Sequence, residues 1–162
     1  MYSKDMKNTE KALIWIINIL KIHNIQFHIA GGFAAKFYGS QRELADIDLD
    51  IPEEKFELIL PEVKEYITYG PKQYKDDTWD LYLMSLQYKG QDIDIAGAYK
   101  VKLYNKKARQ WESARTDFNK DEIKEIFGLK VPVMNLEELI SYKSKIQRGV
   151  DIEDLSAITT AS

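Results

Sequence analysis

Three aspartates, Asp46, Asp48 and Asp50, alternate with Ile47, Leu49 and Ile51. A period of two puts the carboxylates on one face of a strand and the aliphatic side chains on the other. Like charges on one face repel, and burying them without a counter-charge is costly. A bound cation is the simplest stabilising partner. A second apolar stretch carries Asp92 and Asp94 beside Ile93 and Ile95. Carboxylates converging from two adjacent strands make an all-oxygen site suited to Mg²⁺, which keeps waters and takes phosphate oxygens as further ligands. Two such ions about 3.5–4 Å apart clamp the attacking and leaving oxygens of a phosphoryl displacement. The alternative is a solvated strand face, but Asp is disfavoured in strands.

Upstream of the first acids stands Gly31-Gly32. A strand entering two glycines and then a helix lets backbone N–H groups approach an anion, although an ordinary turn reads the same way. The elements around these residues follow from periodicity. Asn8 and Thr9 offer caps for a helix over 10–23 with Leu13, Ile16, Ile17 and Leu20 on its apolar face. A strand over 26–30 runs into the glycines, and a short helix over 33–38 follows. The aspartate strand covers 45–51. Residues 53–66 have helical spacing, with a kink or early end at Pro61. Residues 70–77 look like a turn-rich linker. Strands over 79–88 and 91–96 pair through Lys89-Gly90, and 99–104 adds another strand. The state of 105–120 is left open. A last strand or hairpin around Gly128 precedes a helix from Leu136 to about Gln147, capped by Asn135. A short helix over 151–158 and a frayed tail over 159–162 complete the chain.

The 162 residues are 44% apolar, enough for one domain with a sizeable core. With 23 basic and 26 acidic residues, the net charge of −3 is no footprint of sequence-blind nucleic-acid binding. Cysteine is absent, which removes disulfides and thiolate metal sites. The polar N-terminus is unlike a signal peptide, and the longest apolar run, Ala12 to Leu20, is too short to span a bilayer. A cytoplasmic protein with no membrane partner is the expectation.

An apolar residue, Gly-Gly, a gap of thirteen residues, Asp-apolar-Asp-apolar and an Asp on a later strand together carry a resemblance. From Ile29 to Leu49 the chain resembles the nucleotidyltransferase superfamily of polymerase-β-like fold. Small antibiotic nucleotidyltransferases and the bacterial MNT and AbiEii types are the most similar in character. The segment VPVMNLEELISYKSKIQRGVDIEDLSAI, with its proline strand, helical Lys143 and spaced acids, is similar to a second family segment. Residues 53–80 and 98–120 match nothing specific.

The resemblance implies an α/β (α+β) fold over residues 1–162, a small mixed sheet flanked by helices on one side and ending in C-terminal helices. It implies that Asp46 and Asp48 bind Mg²⁺ or Mn²⁺, with Asp94 as third carboxylate near the acceptor hydroxyl. Asp94 is preferred to Asp92 because its neighbours fit the family strand. Gly31 and Gly32 would contact the triphosphate, and Arg42 and Lys143 would offset phosphate charge. An ion pair of Arg42 with Glu43 or an aspartate is held as an equal alternative. The implied reaction moves a nucleoside monophosphate from a nucleoside triphosphate, ATP foremost, to a small molecule such as an antibiotic. A tRNA or protein acceptor is the alternative, and a non-catalytic nucleotide-binding module a third. Asp50 is expected in solvent at the strand end, Asp151 and Asp154 at a cap and on the surface. His23 and His28 make no motif. The run Lys100, Lys102, Lys106, Lys107, Arg109 and Arg115 is a solvated face or an anion-binding groove.

Overall fold

Alternation along two strands builds the centre of the molecule. The computed structural model describes residues 4–161. Strand β2 (Asp46–Ile51) buries Ile47, Leu49 and Ile51 and turns its aspartates to the opposite face. Beside it runs β5 (Gln91–Gly97), parallel, pairing Asp46 with Asp92 and Asp48 with Asp94. The aliphatic face of this pair, with Met84 and Leu86 of β4 (Trp79–Tyr88), packs on two helices. These are α1 (Lys4–Ile22), through Leu13, Ile16, Ile17 and Leu20, and α3 (Phe56–Val63), through Phe56, Ile59 and Val63. Each large aliphatic side chain taken from water contributes roughly 1.5–3 kcal/mol, so this layer fixes the register of the acids on the other face.

The remaining elements are β1 (His28–Ile29), α2 (Gly31–Phe37), β3 (Ile67–Lys75), β6 (Lys102–Asn105), β7 (Gln110–Ser113), β8 (Glu122–Ile126), β9 (Leu129–Val133), α4 (Leu136–Ile146) and α5 (Gly149–Ala161). The strands form one mixed sheet ordered β7-β6-β4-β5-β2-β1-β9-β8, with β3 also paired to β4. Parallel pairing is confined to β2–β5 and β1–β9 among the described strands. The β4–β5 hairpin turns through Lys89 and Gly90, both at positive φ, which suits a two-residue turn. Asn135 caps α4, its side chain accepting from the N–H groups of Glu137 and Glu138.

Several elements differ from the periodicity reading. Helix α1 begins at Lys4 rather than at an Asn8–Thr9 cap, and the buried Thr9 hydroxyl donates to Gln91. The glycines open α2 instead of preceding it. Residues 67–75 are a strand, not a linker: β3 lies along β4 with register shifts at Ile67/Tyr69 and Tyr69/Lys72. Long-range pairing overrides its turn-rich composition there. Pro61 sits inside α3, which gives way to a 3₁₀ turn at Lys64. The open stretch 105–120 contains the second strand of the β6–β7 hairpin and a 3₁₀ turn at Phe118–Lys120. Helix α5 runs through Ala161, so most of the expected frayed tail is helical, and Ser162 lies outside the described residues.

Candidate active site

Asp46, Asp48 and Asp94 each present a carboxylate oxygen within 4.8 Å of the others, on the sheet face away from the core. Parallel, in-register pairing of β2 with β5 sets Asp48 beside Asp94. The Ser85 hydroxyl of β4 donates to Asp94 at 2.6 Å and fixes its rotamer. Burial pushes all three carboxyls above their ordinary range, and the like charges of the cluster push Asp46 and Asp48 up further. Asp48 is shifted most, with only the Lys143 field pulling it down. Clustered, desolvated carboxylates with a purely oxygen donor set fit a hard divalent cation. Asp92 is exposed and accepts from Gln87 outside the cluster.

Gly31 stands directly above Asp48. Its φ is +56°, and a Cβ there would lie 2.7 Å from Asp48 Oδ2. A Cβ on Gly32 would lie 2.7 Å from Arg42 Nη2. The glycine pair thus lets backbone, acid and guanidinium crowd into one corner of a cavity of about 520 Å³.

The basic residues rest on a buried ionic cluster between α4 and α5. Asp154 accepts from Arg42 (Nε 3.2 Å, Nη2 2.9 Å) and from Ser40 (2.7 Å), and pairs with Lys143 Nζ at 2.9 Å. Asp151 accepts from Lys143 (2.9 Å) and from Arg148 (Nε 2.7 Å, Nη2 3.1 Å). Although burial alone would raise them, these cations hold both carboxyls below the ordinary range, Asp154 at about 2. Asp154 is therefore a fully buried ion-pair partner rather than a surface residue, and Asp151, equally buried, also accepts from the Arg148 backbone N–H at 3.1 Å at the start of α5, a capping contact.

Lys143 is 0% exposed and spends its amine on those two acids, so it lies beneath the cavity and reaches Asp48 only through its field. Arg42 lines the cavity while tied to Asp154, so the ion pair with an aspartate that the sequence offered is formed. Arg148, not singled out in the sequence, also lines the cavity. Its guanidinium lies 4.5 Å from the Trp79 ring centre, and Trp79 Nε1 donates to Tyr142 Oη at 2.8 Å. The signal for Arg148 was present only as the basic residue before Gly149; nothing local shows which way it faces.

Asp50 is not in solvent. It accepts from His28 at 2.7 Å, and the other His28 ring nitrogen meets Asp121 at 2.7 Å. Two acceptors on one imidazole require both nitrogens protonated. Burial opposes that charge, but the two carboxylates prevail and raise His28 to about 9. His23 pairs with Glu62 at the surface. Lys100, Lys102, Lys106, Lys107, Arg109 and Arg115 are all exposed.

No protein-family model matches the sequence, and no curated protein does either. Solved structures do. A Thermotoga maritima protein assigned to the nucleotidyltransferases aligns with a TM-score of 0.71 at 23% identity, covering 91% of this chain and 90% of its own. The lincosamide antibiotic adenylyltransferase LnuA, with lincomycin bound, aligns at 0.63 and 15%, covering 94% and 98%. ANT(2'')-Ia in complex with adenylyl-2''-tobramycin aligns at 0.61 and 19%, covering 94% and 89%. The chain has the nucleotidyltransferase fold.

Proposed function

We propose that this chain is a single-domain, metal-dependent nucleotidyltransferase that moves a nucleoside monophosphate from a nucleoside triphosphate, ATP foremost, to a hydroxyl of a small molecule. The observation that carries this reading is the convergence of Asp46, Asp48 and Asp94 beneath the Gly31-Gly32 turn. The acids fit Mg²⁺ or Mn²⁺ by number and donor type. When bound, such an ion supplies positive charge against the developing negative charge of the phosphoryl oxygens. Asp94, held by the Ser85 hydroxyl, orients the acceptor hydroxyl and takes its proton. The new bond joins that oxygen to the α-phosphorus, the bond to the bridging oxygen breaks, and pyrophosphate leaves with the electron pair. Gly31 and Gly32 let the triphosphate approach the backbone. Arg42 offsets its charge through the guanidinium edge not used by Asp154, and Lys143 through its field. Positioning and electrostatics account for most of the acceleration.

One structural neighbour is an antibiotic adenylyltransferase by name and another is in complex with adenylyl-2''-tobramycin, which supports a small-molecule acceptor and an antibiotic among the candidates. The exposed basic run over 100–115 favours a second reading, a tRNA or protein acceptor. Among the described residues no helix is long and apolar enough to cross a membrane; a cytoplasmic location is part of the same proposal. The test is incubation with each α-³²P-labelled nucleoside triphosphate and Mg²⁺ or Mn²⁺, with small hydroxyl compounds, tRNA or protein, beside an Asp46→Ala/Asp48→Ala variant. Labelled acceptor and pyrophosphate should appear only with the unaltered acids. Nucleotide binding without transfer to any acceptor would favour the non-catalytic module.

A further inference from the structure

The cavity continues past Asp94 along β4, and there its chemistry changes. Trp79, Leu81 and Leu83 alternate on the same face of β4 as Ser85, and Leu83 pairs with Ala96 across β5. Val101 and Ala114, joined by a backbone hydrogen bond at the roots of β6 and β7, close the far side. All are partly exposed, so this is apolar surface left open on a sheet whose other face is the core. None of the strand residues that line this arm carries a charge. The charge above it belongs to Arg148, whose side chain is 38% exposed and is spread over the Trp79 ring.

Arg148 is the outer member of the buried cluster, in which Arg42, Lys143 and Arg148 face two acids, Asp151 and Asp154. The cluster therefore leaves one positive charge over, and it borders the cavity at Arg42 and Arg148. Trp79 is pinned between this cation and the Tyr142 hydroxyl, so the wall is formed before anything binds.

Resting on the nucleotidyl-transfer reading, we infer that this arm is the acceptor site and selects a neutral or anionic hydroxyl compound with a broad apolar face. Such a molecule lays that face on Leu81, Leu83 and Trp79 and brings its hydroxyl to Asp94. A polyamine is selected against. An ammonium laid on Leu81, Leu83 or Trp79 would lose water against a wall that carries no carboxylate of its own, and would meet the Arg148 charge.

Binding separates this inference from catalysis. The probes are 2-naphthol, 6-hydroxynaphthalene-2-sulfonate and kanamycin, titrated calorimetrically into the protein with and without Mg²⁺ and a non-hydrolysable ATP analogue. Both naphthols should bind more tightly than kanamycin. Leu83→Asp should weaken both by about tenfold or more, as expected for a charge placed in an apolar wall. Arg148→Gln, which leaves Asp151 its Lys143 partner, should weaken the sulfonate several-fold more than it weakens 2-naphthol. Asp46→Asn/Asp48→Asn should retain both naphthols. If the naphthols bind in this pattern but no acceptor is ever labelled, the transfer reading fails and the acceptor-site selectivity stands. Tighter binding of kanamycin, no binding of either naphthol, or naphthol binding indifferent to both variants overturns the inference.

Discussion

Asp48 is the residue on which the site's energetics turn. Its carboxyl is raised by burial and by Asp94, Asp46 and Asp50, so in the absence of a cation its charge opposes folding. Asp48→Asn should therefore stabilise the cation-free protein by about 1 kcal/mol while abolishing transfer. Thermal unfolding in EDTA checks this; a variant less stable than wild type would contradict it. Lys143 behaves oppositely. Its amine is buried between Asp151 and Asp154, so Lys143→Met leaves two buried acids short of a partner and should cost about 3 kcal/mol in denaturant unfolding. A direct phosphate-binding role would instead show as weaker nucleotide binding at unchanged stability. The lysine itself is plain in the sequence. Its burial is not, because the two acids that claim it lie in the next helix.

At the scale of elements, the junction of β1, α2 and β2 sets the distance between the glycine pair and the acids. Ala30 N–H donates to the Asp48 carbonyl at 2.9 Å, and Gly31 then turns with positive φ over the Asp48 side chain. Gly31→Ala must carry a side chain in the left-handed region and push against Asp48 Oδ2. It should lose about 1–2 kcal/mol of stability and most of the transfer activity, measured together on the same preparation. Full activity would show that the close approach is dispensable. The aspartate strand and the β4–β5 hairpin were legible because alternation and a Lys-Gly turn are local signals. Strand β3 was not, since only β4 gives its irregular, turn-rich sequence a partner.

For the whole molecule, His28 ties three parts of the fold: β1 through its own backbone, β2 through Asp50, and the turn before β8 through Asp121. The imidazolium has a folded value of about 9 against 6.5 ordinarily. Its contribution is complete below about pH 6.5 and is lost as pH rises toward 9. At about 1.4 kcal/mol per unit, this is a loss of roughly 3 kcal/mol across that window. Unfolding free energies at pH 6 and 9 should differ accordingly in wild type and much less in His28→Gln. Equal slopes in both would show that the imidazole is neutral in the folded state.

Taken alone, the sequence determined the pairs of acids, the glycines before them, the core-facing aliphatics and the capped helix α4, each through spacing along one strand or helix. Tertiary structure decided which acids meet. In-register pairing of β2 with β5 set Asp94 beside Asp48 while Asp92 stays exposed on Gln87, and pairing of β1 with β2 brought Asp50 to His28. Packing of α5 on α4 made Asp151 and Asp154 the anchors of Arg42, Lys143 and Arg148. Local spacing fixes which face of an element a residue occupies. Only the packing of one element on another fixes what that face meets, and there the charges find their partners.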